Sequence, residues 1–265
     1  MKALRNRFSR KNIRLLLSLV KNDLKSRYSG SALGVLWAYV QPLVTVMVFW
    51  YVFQVGFRNP PVNNVEFILW FVAGYIPWTF FNDGILSSAN VFYEYSFLVK
   101  KMKFQVWLLP AVKVMSSFCI HIVLMLFVVA LYLIYGYRPG LAWVSVIYYS
   151  FCVMALLIGS SYFVGSISVF FKDARQLIGI ILQLGFWVTP VFWGTDSMNE
   201  KVLCVLRFNP LFYIFEGNRA ALIENEGFWQ QSVYMTLYFW VFVLVLLFIG
   251  GKTYRKLRVH FSDLL

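Results

Sequence analysis

Charge is scarce in this sequence. Asp, Glu, Lys and Arg make up 13% of its 265 residues, and 60% are hydrophobic, whereas a soluble globular chain is roughly a quarter charged. That deficit excludes a surface solvated by water on all sides. Acidic residues are the rarer sign, 11 against 24 Lys and Arg. In a soluble protein such a balance points to nucleic acid. In an apolar chain it asks which side of a membrane holds the basic residues, and no nucleic-acid partner is expected. The three cysteines are Cys119, Cys152 and Cys204, two of them in apolar runs, so no disulfide framework is expected. The two histidines, His121 in an apolar run and His260 near the end, leave no plausible triad. No His, Cys and carboxylate group has metal-ligand spacing. The chain is therefore expected to bind no metal or cofactor of its own and not to be an enzyme. A cleavable signal peptide is not expected, because the first apolar run begins at Leu33, after a basic stretch too long for a signal n-region.

Long apolar runs are what the sequence does have. A membrane span needs about 20 mostly apolar residues. Six segments qualify: 33–57, 67–91, 104–135, 141–171, 177–193 and 232–249. The sequence thus predicts an all-α integral membrane protein, a single transmembrane domain over 1–265 with both ends on one side. Lys and Arg choose the side. Eighteen lie at the two ends and in the loops sharing their side, and five in the opposite loops, Arg58, Arg138, Lys201, Arg207 and Arg219. The positive-inside bias predicts cytoplasmic termini.

Two segments fit neither span nor loop. Over 12–28, Ile13, Leu16, Leu17, Val20, Leu24 and Tyr28 recur at helical spacing, with Arg14, Ser18, Lys21 and Lys25 on another face. The pattern predicts an amphipathic helix in the cytoplasmic interface, its basic face toward lipid phosphates. Its plainest role is to anchor the first span. Segment 202–223 is apolar but broken at Asn209-Pro210 and at Gly217. It reads as two short helices in a re-entrant hairpin on the outer side, where irregular backbone at membrane depth needs protein or water around it.

Three ionisable residues, Asp83, Lys113 and His121, fall within the predicted spans. Asp83 and Lys113 each lie ten residues from a cytoplasmic end on consecutive antiparallel helices, about 15 Å deep at 1.5 Å per residue. The matching depths predict an intramembrane ion pair that fixes helix register. His121 reads as a packed polar residue. Gly251-Lys252-Thr253 resembles the end of a phosphate-binding loop, but the glycine required five positions earlier is Leu246, and no strand precedes it. It is a basic helix end. Aromatics are abundant, with 27 Phe, 16 Tyr and 10 Trp. Trp50, Tyr51, Trp78, Phe80, Phe81, Phe186 and Trp187 lie well inside spans, away from interfacial belts. They either pack or offer stacking faces for sugar rings.

Five stretches carry a resemblance to a known family. They are Asp23-Leu24-Lys25-Ser26-Arg27-Tyr28 with Ser31-Ala32-Leu33-Gly34-Val35-Leu36-Trp37, then Ala73-Gly74-Tyr75-Ile76-Pro77-Trp78, Leu98-Val99-Lys100-Lys101 with Phe104 and Leu109-Pro110, Phe171-Lys172-Asp173, and Asn209-Pro210-Leu211 with Arg219. The chain resembles, over almost its whole length, the membrane subunit of ABC transporters (type 2 export class) that export polysaccharides such as lipopolysaccharide O-antigen, capsule or teichoic acid. Phe104-Gln105 and Lys172-Asp173 stand where the family usually has Phe-Pro and Arg-Asp.

The resemblance implies a homodimer in the bacterial inner membrane with two copies of a separate ATP-binding subunit, which would use ATP and Mg. The cargo would be a lipid-linked polysaccharide, O-antigen first among the three, and membrane lipids would surround the complex. Segment 12–28 matches the family's gate helix, with Lys21, Lys25, Arg27 and Tyr28. Segment 94–103 matches the ATPase-coupling loop, with Glu94, Tyr95, Phe97, Lys100 and Lys101. By position, Trp37, Tyr39, Trp50, Tyr51, Phe186 and Trp187 would line a glycan channel at the dimer interface, and the outer hairpin would gate it. The alternatives are an ABC exporter of drugs or lipids, which the gate-helix motif and the aromatic load disfavour, and an ion-coupled secondary transporter. The latter needs a cluster of intramembrane acids, and Asp83 alone is available.

Overall fold

The computed structural model of this chain describes residues 10–57, 65–101, 104–171, 173–194 and 198–265. The charges at Arg58, Lys103 and Lys172, and those before Arg10, lie outside the described residues. Every described element is helical, the secondary structure in which a single segment satisfies its own backbone in an apolar medium.

Helix α1, Arg10–Arg27, occupies the predicted amphipathic segment. Gly30 then turns the chain at φ +88°, a value glycine reaches without a Cβ penalty. A 3-10 turn at Gly34–Leu36, helix α2 at Trp37–Trp50 and a π-helical turn at Tyr51–Gly56 follow in one run. Helix α3 is Phe67–Ala89, and two one-turn helices come next, α4 at Val91–Glu94 and α5 at Ser96–Val99. The long helices α6, Leu108–Ile134, and α7, Val144–Ser168, precede α8, Ala174–Val188. At the predicted hairpin lie α9, Glu200–Arg207, and α10, Pro210–Arg219, where Pro210 opens the helix and Asn209 caps it by accepting from the Leu211 amide at 3.0 Å. Helix α11 is Val233–Leu257, and α12 is Phe261–Leu264.

Four stretches are long and apolar enough to cross a membrane: Gly34–Gly56, Leu108–Ile134, Leu141–Ser168 and Val233–Leu264. The sequence reading of six also counted 67–91 and 177–193. Helix α3 has the length, 23 residues or about 34 Å, but Trp70, Tyr75, Pro77, Trp78, Asn82 and Asp83 lower its hydropathy. Helix α8 is apolar but has 15 residues, about 22 Å. Burial explains the composition of α3. It is the central helix, with 17 of its 23 residues buried against α2, α6, α7, α8 and α10. A helix enclosed by protein need not present an apolar face to lipid. By contrast, α2 and α8 bury only Ala38 and Val46, and Ala174 and Leu182, respectively.

Helices α7 and α11 form the closest pair. A Cβ built on Gly250 would overlap the Gly159 carbonyl oxygen, and one on Gly159 would meet the Leu247 amide nitrogen at 3.0 Å. Small residues let the two backbones touch, as van der Waals packing in an apolar solvent requires. A second, smaller core lies at one end of the bundle, built from Val91, Phe92, Leu109, Val169, Tyr254 and Phe261. Because the atom opposing Gly250 is backbone, Gly250→Ala is expected to destabilise the protein by about 1–3 kcal/mol. Thermal unfolding of the detergent-purified protein checks this, with Gly251→Ala, whose Cβ meets nothing within 4 Å, as the neutral control.

Candidate functional site

Four charged residues of the predicted site, Arg27, Asp83, Glu94 and Lys113, converge around Asp23 where α1 crosses α6. Asp23 and Lys113 are 2% and 1% exposed, and Lys113 Nζ donates to Asp23 Oδ1 at 2.6 Å. Lys113 also donates to Glu94 at the end of α4. Arg27 Nε donates to Asp23 Oδ2 at 2.9 Å, and Arg27 Nη1 to Asp83 Oδ2 at 2.9 Å. The Tyr95 hydroxyl donates to Asp23 Oδ1 at 2.9 Å, and Ser117 to Asp83. Three carboxylates and two cations thus join α1, α3, α4 and α6. The outer acids, Asp83 and Glu94, are 46% and 45% exposed on the single chain.

This network corrects the Asp83–Lys113 pair expected from depth. Each residue has other partners, because Asp23 and Arg27 of α1 enter between them. It also ties α1 to the bundle. Val20 and Asp23 are buried, while Lys21 and Lys25 point outward. Glu94, expected to meet a partner subunit, also holds Lys113 and remains 45% exposed on the single chain. Within the predicted coupling loop, Tyr95 is half-buried and reaches inward to Asp23. Phe97 and Lys100 are exposed, and Lys101 Nζ sits 4.0 Å from the centre of the Phe97 ring.

Burial disfavours the charged form of Asp23, but Arg27 and Lys113 more than offset this and hold its carboxyl below 3.8. Burial and then the Asp23 charge push the Tyr95 hydroxyl up, so Tyr95 stays a donor. His121 packs as expected: its ring stacks on Phe80 at 4.7 Å, and Nε2 lies 3.0 Å from Ser150 Oγ. Beside the network a cavity of about 320 Å³ is lined by polar groups that include Gln41, Thr45, Thr79, Asn82, Asp83 and Ser117.

The aromatic residues divide into two populations. Phe53, Phe67, Phe71 and Tyr75 form a ladder with centroids 4.9–5.7 Å apart, joined by Phe49 at 4.8 Å from Phe71. Phe186 closes on it at 6.1 Å from Phe49 and 5.6 Å from Phe192. This ladder packs α2 and α8 onto α3. Of the six predicted channel rings, Phe186 belongs to it and Tyr39 is half-buried, whereas Trp37, Trp50, Tyr51 and Trp187 are exposed on the single chain. The ladder escaped sequence reading, although Phe49/Phe53/Phe57 and Phe67/Phe71/Tyr75 recur every four residues, the spacing of one helix face.

At the opposite end, Arg219 is buried, with its guanidinium 3.5 Å from the centre of the Trp70 ring. It donates to the Val191 carbonyl at 2.8 Å, to the Trp70 carbonyl at 3.3 Å and to Glu216 at 2.5 Å. Asn209 Nδ2 donates to Thr189 Oγ1 at 3.0 Å. The two-helix unit 200–224 is therefore pinned to α3 and to the end of α8.

Residues 14–223 match the family described as ABC-2 type transporter. The chain belongs to that family. The matched stretch of this ABC-2 type transporter begins within α1 and ends in the π-helical turn Ala220–Glu224, so it holds both polar nodes and the aromatic ladder. The chain is 25% identical over 252 residues, 95% of each chain, to an O-antigen export system permease protein RfbA of Klebsiella pneumoniae. It is 26% identical over 216 residues to RfbA of Myxococcus xanthus, covering 80% of this chain and 81% of the relative. It is 21% identical over 254 residues to the polysialic acid transport protein KpsM of Escherichia coli, covering 90% and 91%.

Two outcomes follow from the network. Lys113→Met leaves the buried Asp23 charge with Arg27 and Tyr95 alone, and is expected to cost about 3 kcal/mol. Adding Asp23→Asn to it should recover part of that loss in a double-mutant melting cycle. Because the Asp23 value is depressed on folding, its contribution is complete above 3.8 and is lost as pH falls through the lower folded value. Corrected hydrogen exchange across 13–27 should therefore show α1 anchored down to about pH 5 and released only below the ordinary carboxylate range.

Proposed function

We propose that this chain is the permease subunit of an ATP-driven polysaccharide exporter in the bacterial inner membrane. It translocates a lipid-linked glycan, with O-antigen favoured by the names of its relatives. It works as a homodimer with two ATP-binding subunits, which use ATP and Mg, and holds no cofactor itself. Six spans cross the membrane, with α3 buried among the others and α8 completing the count, and both termini are cytoplasmic. Unit 200–224 re-enters from the outer side and gates the exit.

The observation that carries this reading is Lys113, held at once by Asp23 of α1 and Glu94 of α4. A push on the exposed Phe97, Lys100 and Lys101, three to seven residues on, reaches Glu94 through the one-turn helix α5. Through Lys113 it reaches α1 and the chain entering α2. The coupling segment and the gate helix are thereby a two-state element that nucleotide in the partner can bias. The exposed rings Trp37 and Trp50 lie on α2, Tyr51 on the π-helical turn that continues it and Trp187 on α8, helices that bury little of themselves in the single chain and leave room for a second copy and a threaded glycan. Flat rings stack on the C–H faces of sugars without deep polar traps.

Gentle purification from native membranes is expected to recover an ATP-binding chain in amounts equal to this one, with ATPase activity in the complex. In vesicles made from that complex, Lys101→Glu should lower glycan transport per ATP by about tenfold. Recovery of this chain alone under several detergents would overturn the reading, and unchanged transport in Lys101→Glu would remove the coupling role of 94–101.

A further inference from the structure

The charge network holds the segment 91–101 from one side only. Its other side rests on a part of the chain that no motif marks. Phe261, at the start of α12, is 1% exposed. Its ring lies 4.6 Å from that of Phe92, 6.2 Å from Tyr254 and 6.5 Å from Phe170. Phe92 is itself fully enclosed, one residue into α4, and α12 packs against α5. Leu98, Val99 and Leu265 border the same core. The third wall is the end of α7, where the Tyr93 hydroxyl donates to the Val169 carbonyl at 3.1 Å. Two one-turn helices have too few internal hydrogen bonds to hold their own orientation, so what packs on them sets it.

We propose that segment 258–265, through Phe261, is a positioning element of the coupling machinery. It braces α4 and α5 from behind, so that force on Phe97, Lys100 and Lys101 turns the segment as a unit and moves Glu94 against Lys113. The opposing surfaces have complementary chemistry. One side is a charged hinge that can exchange partners, and the other is a tightly packed aromatic pivot that cannot shift without opening a void. Without the pivot, the same push is absorbed by local yielding of 91–99. This proposal rests on the permease reading above, and its test separates the two.

The test compares Phe261→Ala and Phe261→Leu with the wild type, first as the purified full chain and then as the complex with its ATP-binding partner. In the chain alone, hydrogen exchange across 91–99 is expected to rise in Phe261→Ala while exchange in α7 and α11 is unchanged. In the complex, ATP hydrolysis per assembled complex should stay within about twofold of wild type, while glycan transport per ATP falls by about tenfold, with Phe261→Leu intermediate. A merely structural role would lower the yield of complex but leave transport per ATP unchanged. That result, or unchanged exchange across 91–99, would overturn the proposal. If Phe261→Ala does not accumulate, the graded loss in Phe261→Leu decides, and wild-type coupling there overturns it. Failure to find any ATP-binding partner for the wild-type chain would instead overturn the permease reading, and the exchange measurement would still decide whether 258–265 holds 91–99.

Discussion

A lysine ammonium buried to 1% exposure can exist only where its charge is matched nearby, because desolvating an ion costs several kcal/mol. At Lys113 the match comes from two directions, a carboxylate on α1 and another on α4. The ammonium thereby ties α1, which has one narrow apolar face, and the single turn α4 to the base of α6, one of the longest helices. Asp23 is shared in the same way, between Lys113, Arg27 and Tyr95. The location of α1 therefore follows from a charge that α6 alone could not tolerate.

The two ends of the bundle are held by different means. At the α1 end the ties are ionic, and two of their acids, Asp83 and Glu94, are half-exposed on the single chain; such ties can break and re-form with little loss of packing. At the other end, Arg219 stacks on Trp70 and donates to main-chain carbonyls of α3 and of the segment after α8. Carbonyl partners cannot be protonated or rotated away. Between the ends, the aromatic ladder attaches α2 and α8 to α3 through rings alone. Those two helices bury so little of themselves in the single chain that the ladder is most of what orients them.

The apolar runs and the charge asymmetry were legible because membrane length and loop charge are properties of the chain itself, independent of partners in space. Helix α1 was legible for the same reason: six apolar residues at helical spacing need no tertiary information. The pairing of Asp83 was not. Depth along a helix is a single coordinate, and it matched Asp83 to Lys113 with no account of the residues α1 brings between them. Asp23, four residues before Arg27, entered only as the first residue of a motif. Only the packing of α1 against α6 makes it the centre of a network. Phe261 gave less warning still, since the eight residues after α11 are too few for a periodic pattern, and its burial depends on the distant Phe92 and Phe170. The aromatic ladder was written in plain four-residue spacing. It went unread because rings inside spans were weighed one at a time.

Helix α3 has one more consequence, for how the protein is made. Its tryptophans, its proline and its Asn82-Asp83 pair suit a place among other helices and suit lipid poorly. A charged residue in the middle of a helix resists partitioning from the translocation machinery into the bilayer. The groups that meet its polar end include Ser117 of α6, which is synthesised later. The order of synthesis therefore runs against the order of stability. In the six-span arrangement proposed above, α3 is made before the helix that receives its polar end, so substitutions on α6 would be felt during biogenesis by a helix that precedes it.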